Sequence, residues 1–249
     1  MIIYEKTKSP WPRPGMHKRF MIRVTKNHCS LISTRNYRAR AGFSLNNLNN
    51  KALYMRKMVN FLFEVGILKK TPRSGYQFLG TGSESVAEHT FRVAIIAYLL
   101  AKNEPKANPE KVVLMSLFHD LHEARTGDHN YVNKNYVNVN EVKAVQDSTQ
   151  ELSSGKEIIA LIDEFNASDT LEAKLSRDAD QLDFILELKR QKDLGNKSAG
   201  EWLTYAIKRL ITNFAKKLAE EILRTDSNEW WFKKKEDLWI NGPGQVNNK

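Results

Sequence analysis

Cysteine is almost absent from this chain of 249 residues; Cys29 is the only one. A single thiol excludes an internal disulfide and a thiolate metal cluster. No apolar run approaches the length of a membrane span. Glycine forms no phosphate-binding loop, and there is neither an internal repeat nor the alternation of a strand, which leaves helix as the repeating element and an all-α fold as the expectation. Acidic residues are missing from the first 57 positions apart from Glu5, against 13 Lys and Arg there; the rest of the chain holds 26 basic against 28 acidic residues. The net charge of +10 therefore belongs to the first segment. A nucleic-acid-binding body is not expected from it. A secretory opening is also lacking, because Glu5, Lys6, Lys8 and the prolines break the first apolar residues, and a cytoplasmic protein is expected. What remains is 41% hydrophobic and 27% charged, the balance of a soluble globular chain with room for a sizeable core.

Residues 1–50 read poorly as structure. Pro10, Pro12 and Pro14 break any helix, and Asn46-Asn47-Leu48-Asn49-Asn50 is a polar patch. The basic extension over residues 1–57 fits three readings: a disordered arm, a transit-like leader, or upstream sequence ahead of a true start near Met55 or Met58. A helical domain is expected over residues 58–232 and a charged tail over 233–249. From Met58, apolar residues at Val59, Phe61, Leu62, Val65 and Leu68 repeat with helical spacing. Thr71 to Tyr76 is a loop with Pro72 and Gly75 as breakers. Ser85 and Glu88 make a capping box before a helix whose apolar stripe of Val86, Val93, Ile96 and Leu100 also carries His89. Asn108-Pro109 opens a helix expected to run through Glu123. Two short helices follow over 140–152 and 156–165, then a long one from about 171 to 193. A last helix spans 201–224, and Trp230, Trp231 and Phe232 are expected to pack against the bundle or a partner subunit.

Chemistry concentrates at His119-Asp120, with Glu123 one turn later and a Gly127-Asp128 corner. Imidazole beside carboxylate suits a borderline divalent cation such as Mn, Fe, Co, Ni or Zn. A lone His-Asp pair is common by chance, and a lone His89 is ordinarily a core histidine bonded to a carbonyl. The placement raises the pair above chance, because acids at a C-terminal turn oppose the helix dipole and imply a cation nearby. On the long helix, Asp178 shares the stripe of Leu171, Leu175, Leu182 and Ile185, whereas Asp180 lies on the far side; periodicity alone nominates Asp178 as the inward acid. Arg73 is by default a solvated loop residue, although a guanidinium also matches a phosphate in two-point geometry.

Taken together, His89, His119-Asp120 and an aspartate some 60 residues on resemble the pattern of the HD-domain metal phosphohydrolases. The blocks at 84–89 (Glu-Ser-Val-Ala-Glu-His), 119–123 (His-Asp-Leu-His-Glu), 127–128 (Gly-Asp) and 172–181 (Glu-Ala-Lys-Leu-Ser-Arg-Asp-Ala-Asp-Gln) are similar to the 5′-deoxynucleotidase and HD-domain-containing protein 2 branch. The resemblance covers roughly residues 58–225. It implies an HD-domain helical bundle, likened to a dimer, that holds one divalent transition metal with His89, His119, Asp120 and Asp180, choosing Asp180 over Asp178. It implies Glu123 and Asp128 as catalytic acids, Arg73 as the phosphate ligand, Tyr76 as a further substrate contact, and a (deoxy)nucleoside 5′-monophosphate as substrate. A cyclic or hyperphosphorylated nucleotide, or nucleic-acid binding through the basic arm, are the alternatives. Two departures fall where substrate would sit: the branch's Leu-Pro after Gly-Asp is His129-Asn130 here, and the aromatic beside the loop arginine appears only as Tyr76.

Overall fold

The computed structural model describes the backbone of residues 34–232 and the side chains of residues 50–232. The expected tail over 233–249 and the first part of the extension lie outside the described residues. Contacts divide the chain into Met1–Asn47, whose described part is helical, and Leu48–Lys249, which holds the bundle. The first helix, α1, runs Thr34–Val65 and so reaches back well before Met58. The described residues contain helices and turns but no strand; Pro72 and Ser85 alone form an isolated bridge. None of the described helices is long and apolar enough to cross a membrane.

After α1 the order is α2 (Tyr76–Leu79), α3 (Val86–Lys102), α4 (Pro109–Phe118), α5 (Glu123–Thr126), α6 (Glu141–Thr149), α7 (Gly155–Ala167), α8 (Leu171–Asp193), α9 (Lys197–Ala206), α10 (Asn213–Arg224) and α11 (Glu229–Phe232). The caps explain the starts. Ser85 Oγ accepts from the Glu88 amide at 3.2 Å while Glu88 accepts from the Ser85 amide at 2.7 Å, the reciprocal box that opens α3. Asn108 and Thr170 cap α4 and α8 in the same way, each accepting from an amide three residues on.

Helix α8 is the axis of the bundle and packs against α3, α4, α7, α9 and α10. Its Leu175, Ala179, Leu182, Ile185 and Leu188 join Val93, Ile96 and Leu100 of α3 in the main core. A smaller core of Leu121, Val145, Ile158 and Ile162 receives Phe61 and Val65 of α1. Glu64 of α1 is tied to the same region by Arg125, at 2.5 and 2.9 Å, and by Ser148 at 2.6 Å.

Two expected helices are broken. The α-helical hydrogen-bond ladder stops after Phe118, gives way to i→i−3 turns although His119 and His122 keep helical dihedral angles, and starts again at Glu123, which opens a four-residue helix of its own. The dipole argument consequently applies to Asp120 and not to Glu123. The expected helix over 201–224 is likewise interrupted, with Leu210 extended and Thr212 capping α10. Asp178 accounts for that second break. It is fully buried, and its two oxygens accept from the amides of Ile211 at 2.7 Å and Thr212 at 2.8 Å. Periodicity was thus right that Asp178 points inward, but its task is to satisfy backbone donors that the break leaves without helical partners. Trp230 is 86% exposed and does not pack into the bundle.

Asp178→Ala leaves the part-buried amides of Ile211 and Thr212 without their acceptor, at the lower end of about 1–3 kcal/mol each. The expected result is a loss of about 2–4 kcal/mol in chemical denaturation with divalent-metal content unchanged. A stable Asp178→Ala protein that has lost its metal would return Asp178 to the ligand set.

Candidate active site

Three elements deliver the candidate ligands to one point. His89 lies in the first turns of α3, His119 and Asp120 at the broken end of α4, and Asp180 on α8. The Nε2 atom of His89 is 3.2 Å from Asp180 Oδ1 and 3.7 Å from Asp120 Oδ2, and that of His119 is 3.1 Å from Asp120 Oδ2 and 3.9 Å from Asp180 Oδ1. The two rings stand edge to face with centroids 5.5 Å apart.

The far side of each ring is occupied. His119 Nδ1 is 2.8 Å from the Ser116 carbonyl oxygen, and His89 Nδ1 is 2.6 Å from Asp183 Oδ2. A carbonyl can only accept, so Nδ1 of His119 carries the proton; a carboxylate draws the proton of His89 to Nδ1 likewise. With Nδ1 so occupied, each Nε2 points into the cluster, where it can hold either a second proton or, in the neutral ring, a cation. Both Nε2 atoms are buried and neither makes a hydrogen bond. Two orphaned imidazole lone pairs beside two carboxylates fit a divalent cation, and His89, His119 and Asp180 offer ligand atoms within 4.8 Å of one another.

The electrostatics point the same way. Burial and the charge of Arg73 oppose an imidazolium at His89, yet Asp180 and Asp183 outweigh them and push its pKa up to about 10. Burial works against the Asp120 carboxylate, but His119 and Arg73 hold it well below the usual range. The cluster favours positive charge among its carboxylates.

Around it lies the loop that precedes α3. Arg73 Nη1 reaches Asp120 Oδ2 at 3.4 Å, and although burial disfavours its charge, Asp120, Asp180, Asp128 and Glu123 raise its pKa further. Asp128 anchors this loop, accepting from the Ser74 amide at 2.6 Å and the Ser74 hydroxyl at 3.2 Å. Glu123 is buried, and its Oε2 has no hydrogen-bond partner. Burial, then the charges of Asp120 and Asp128, push its pKa up to about 9, which favours the protonated carboxyl. A cavity of about 540 Å³ opens above these groups and is lined by Arg73, Tyr76, Asp120, Glu123, Asp128 and Asp180 among others. All eight residues singled out from the sequence thus meet here, His89 and His119 beneath the floor and the rest on the wall. At the departure from the Leu-Pro pattern, Asn130 Oδ1 accepts from the Val132 and Asn133 amides, both at 3.0 Å, and closes the turn that carries Tyr131 over the cavity mouth.

The sequence model of the HD domain matches residues 65–223. The chain belongs to the HD-domain family. Among its relatives, the 5′-deoxynucleotidase HDDC2 of Bos taurus is 33% identical over 148 residues, covering 57% of this chain and 71% of the relative. The 5′-deoxynucleotidase hdd1 of Schizosaccharomyces pombe is 29% identical over 185 residues, covering 70% and 92%. A conserved hypothetical protein from Pyrococcus furiosus superposes with a TM-score of 0.60 at 31% identity, over 67% of this chain and 99% of that one.

Asp183 was not among the residues singled out, although its spacing of three from Asp180 places it on the neighbouring turn of the same helix. Within the HD domain it is the group that turns His89. Asp183→Ala is expected to weaken divalent-metal affinity by about 10- to 100-fold with the helical signal retained. Competition against a metal-binding dye measures this, and unchanged affinity would remove His89 from the ligands.

Proposed function

We propose that this HD-domain chain is a metal-dependent phosphohydrolase that removes the 5′-phosphate from deoxynucleoside and nucleoside monophosphates. The observation that carries the reading is the pair of buried, unpartnered Nε2 atoms beside two carboxylates, under a cavity that also receives a guanidinium. Relatives named 5′-deoxynucleotidase support the nucleotide part.

In this reading His89, His119, Asp120 and Asp180 hold one divalent transition metal, drawn from Mn, Co, Fe, Ni and Zn. The bound cation supplies a Lewis acid that offsets charge on the phosphoryl group. Arg73 grips the remaining phosphoryl oxygens. Glu123 donates its proton to O5′ as water adds to phosphorus and the P–O5′ bond breaks. Asp128 holds Ser74, and with it Arg73, at the height of the phosphate. Tyr76 lines the nucleoside side of the cavity. The protein acts as a homodimer. Support for this comes from Phe91, Ile95, Tyr98 and Leu99, which form one exposed apolar stripe along the outer side of α3.

Chelation is expected to abolish phosphate release from deoxynucleoside monophosphates, and readdition of a suitable metal to restore it. Glu123→Gln is expected to keep the metal and lower kcat by roughly 10²–10⁴-fold. Arg73→Ala is expected to act mainly on KM. Steady-state kinetics with metal content checked for each variant decides the matter; a metal-loaded Glu123→Gln enzyme with normal kcat would remove the proton-transfer role. For the dimer, sedimentation of Phe91→Glu should show monomer where the unaltered chain shows dimer.

A further inference from the structure

The aromatic rings of the cavity fall into two groups. Tyr76, Phe184 and Trp202 are partly buried and pack against the main core, with the Phe184 and Trp202 centroids 6.5 Å apart. These rings are wall. Phe78 and Tyr131 also line the cavity but stand clear of that packing, 53% and 65% exposed. Of these two, Tyr131 is the one that is held. Arg209, in the turn after α9, also lines the cavity and places its guanidinium 5.0 Å from the centre of the Tyr131 ring. Among the described residues Arg209 forms no ion pair, so no acid competes with the ring for its charge. No ring or cation lies against Phe78 among the same residues.

The main chain under Tyr131 is fixed as well. Asn130 is buried and closes the turn from one side, and from the other the Asn135 side-chain amide donates to the Tyr131 carbonyl oxygen at 3.1 Å. Tyr131 is the third residue after Asp128, a stretch that spans at most about 10 Å. Asp128 in turn holds the amide of Ser74, the residue after Arg73, at 2.6 Å. The ring and the guanidinium proposed to grip phosphate thus sit on two segments joined at Asp128. A nucleotide carries its base one sugar away from its phosphate, which is a comparable reach. A guanidinium covers one face of an aromatic ring and leaves the opposite face for a second flat group. Stacking of that kind accepts any nucleobase, because every base has a π face.

On the reading of the chain as a 5′-nucleotidase, we propose that the Tyr131–Arg209 pair is the shelf on which the nucleobase stacks. The pair then contributes to binding of every base, more to the larger purines, and nothing to a sugar phosphate without a base. The metal-loaded protein is assayed on dAMP, dCMP and 2-deoxyribose 5-phosphate, which keeps phosphate and sugar and lacks the base. Tyr131→Ala is expected to raise KM for dAMP by about 5- to 100-fold with kcat little changed, to raise KM for dCMP by less, and to leave 2-deoxyribose 5-phosphate as it was. The inhibition constant of that base-free compound against dAMP turnover replaces its KM if its own hydrolysis is too slow to follow. Tyr131→Phe, which keeps the ring, should restore the dAMP KM. Arg209→Ala should raise it in the same base-dependent way, by less. An unchanged dAMP KM in Tyr131→Ala overturns the assignment, and a raised one in Phe78→Ala would then move the base to the other exposed ring. Equal losses on dAMP and on the base-free compound make Tyr131 a support of its loop and overturn the assignment too. Failure of the unaltered metal-loaded protein to hydrolyse either nucleotide overturns the nucleotidase reading itself, and the inference with it.

Discussion

Two imidazoles buried in one bundle, each tied by Nδ1, set the terms for everything around them. The tie at His119 depends on the end of α4. A carbonyl in the last turn of a helix has no amide waiting for it, and the Ser116 carbonyl lies in that turn, 2.8 Å from the His119 ring. Had α4 continued through Glu123, that carbonyl would belong to the helix ladder and the ring would lose its orienting partner. The break also turns Asp120 back toward the rings and starts α5 at Glu123, so one interruption of a helix places a candidate ligand, its orientation and a candidate acid. At His89 the same task falls to Asp183, itself held by Arg92. One ring is thus oriented by backbone and the other by a charged pair, which makes His89 the more sensitive of the two to substitution nearby.

The fold was legible where its signals are local. Ser85 with Glu88, Asn108 with Pro109, and Thr170 each mark a helix start because the side chain satisfies an amide of the first turn, and all three are seen to do so. The breaks at 119–122 and 210–212 were not legible, because apolar spacing continues across them and the groups that stabilise the second come from a distant helix. Asp178 shows the limit of periodicity most clearly. A helical wheel reports burial, and Asp178 is buried; it does not report whether a buried acid meets a metal or a backbone amide. Asp180 shows the converse, since its side chain is 36% exposed. A candidate ligand that lines a solvent-reaching cavity does not belong on the apolar stripe, and so only the block around Ala179-Asp180-Gln181 could point to it.

Helix α8 also explains why one element contributes at so many levels. Its 23 residues face five other helices, and the residues it buries include three acids, Asp178, Asp183 and Glu187. Asp178 closes the turn before α10, Asp180 faces the imidazoles, Asp183 turns one of them, and Glu187 lines the same cavity. A helix holds these groups at fixed intervals.

The charge balance in the cavity bears on what can enter it. Around Arg73 stand Asp120, Asp180, Asp128 and Glu123, four carboxyl groups against one guanidinium. A phosphate dianion brought to that set as it stands would meet a net negative wall, and a desolvated like-charge encounter is costly. Two features correct this. Burial and the charges of Asp120 and Asp128 favour the protonated form of Glu123, which lessens the negative charge of the wall. The orphaned Nε2 lone pairs beside Asp120 and Asp180 admit a divalent cation, which reverses the sign of the floor. With both in place the phosphate finds cation, guanidinium and a proton donor together, whereas with either missing Arg73 remains committed to its own acids. Anion affinity in this cavity is therefore coupled to cation affinity through Asp120, the one carboxylate that touches both Arg73 and the imidazoles.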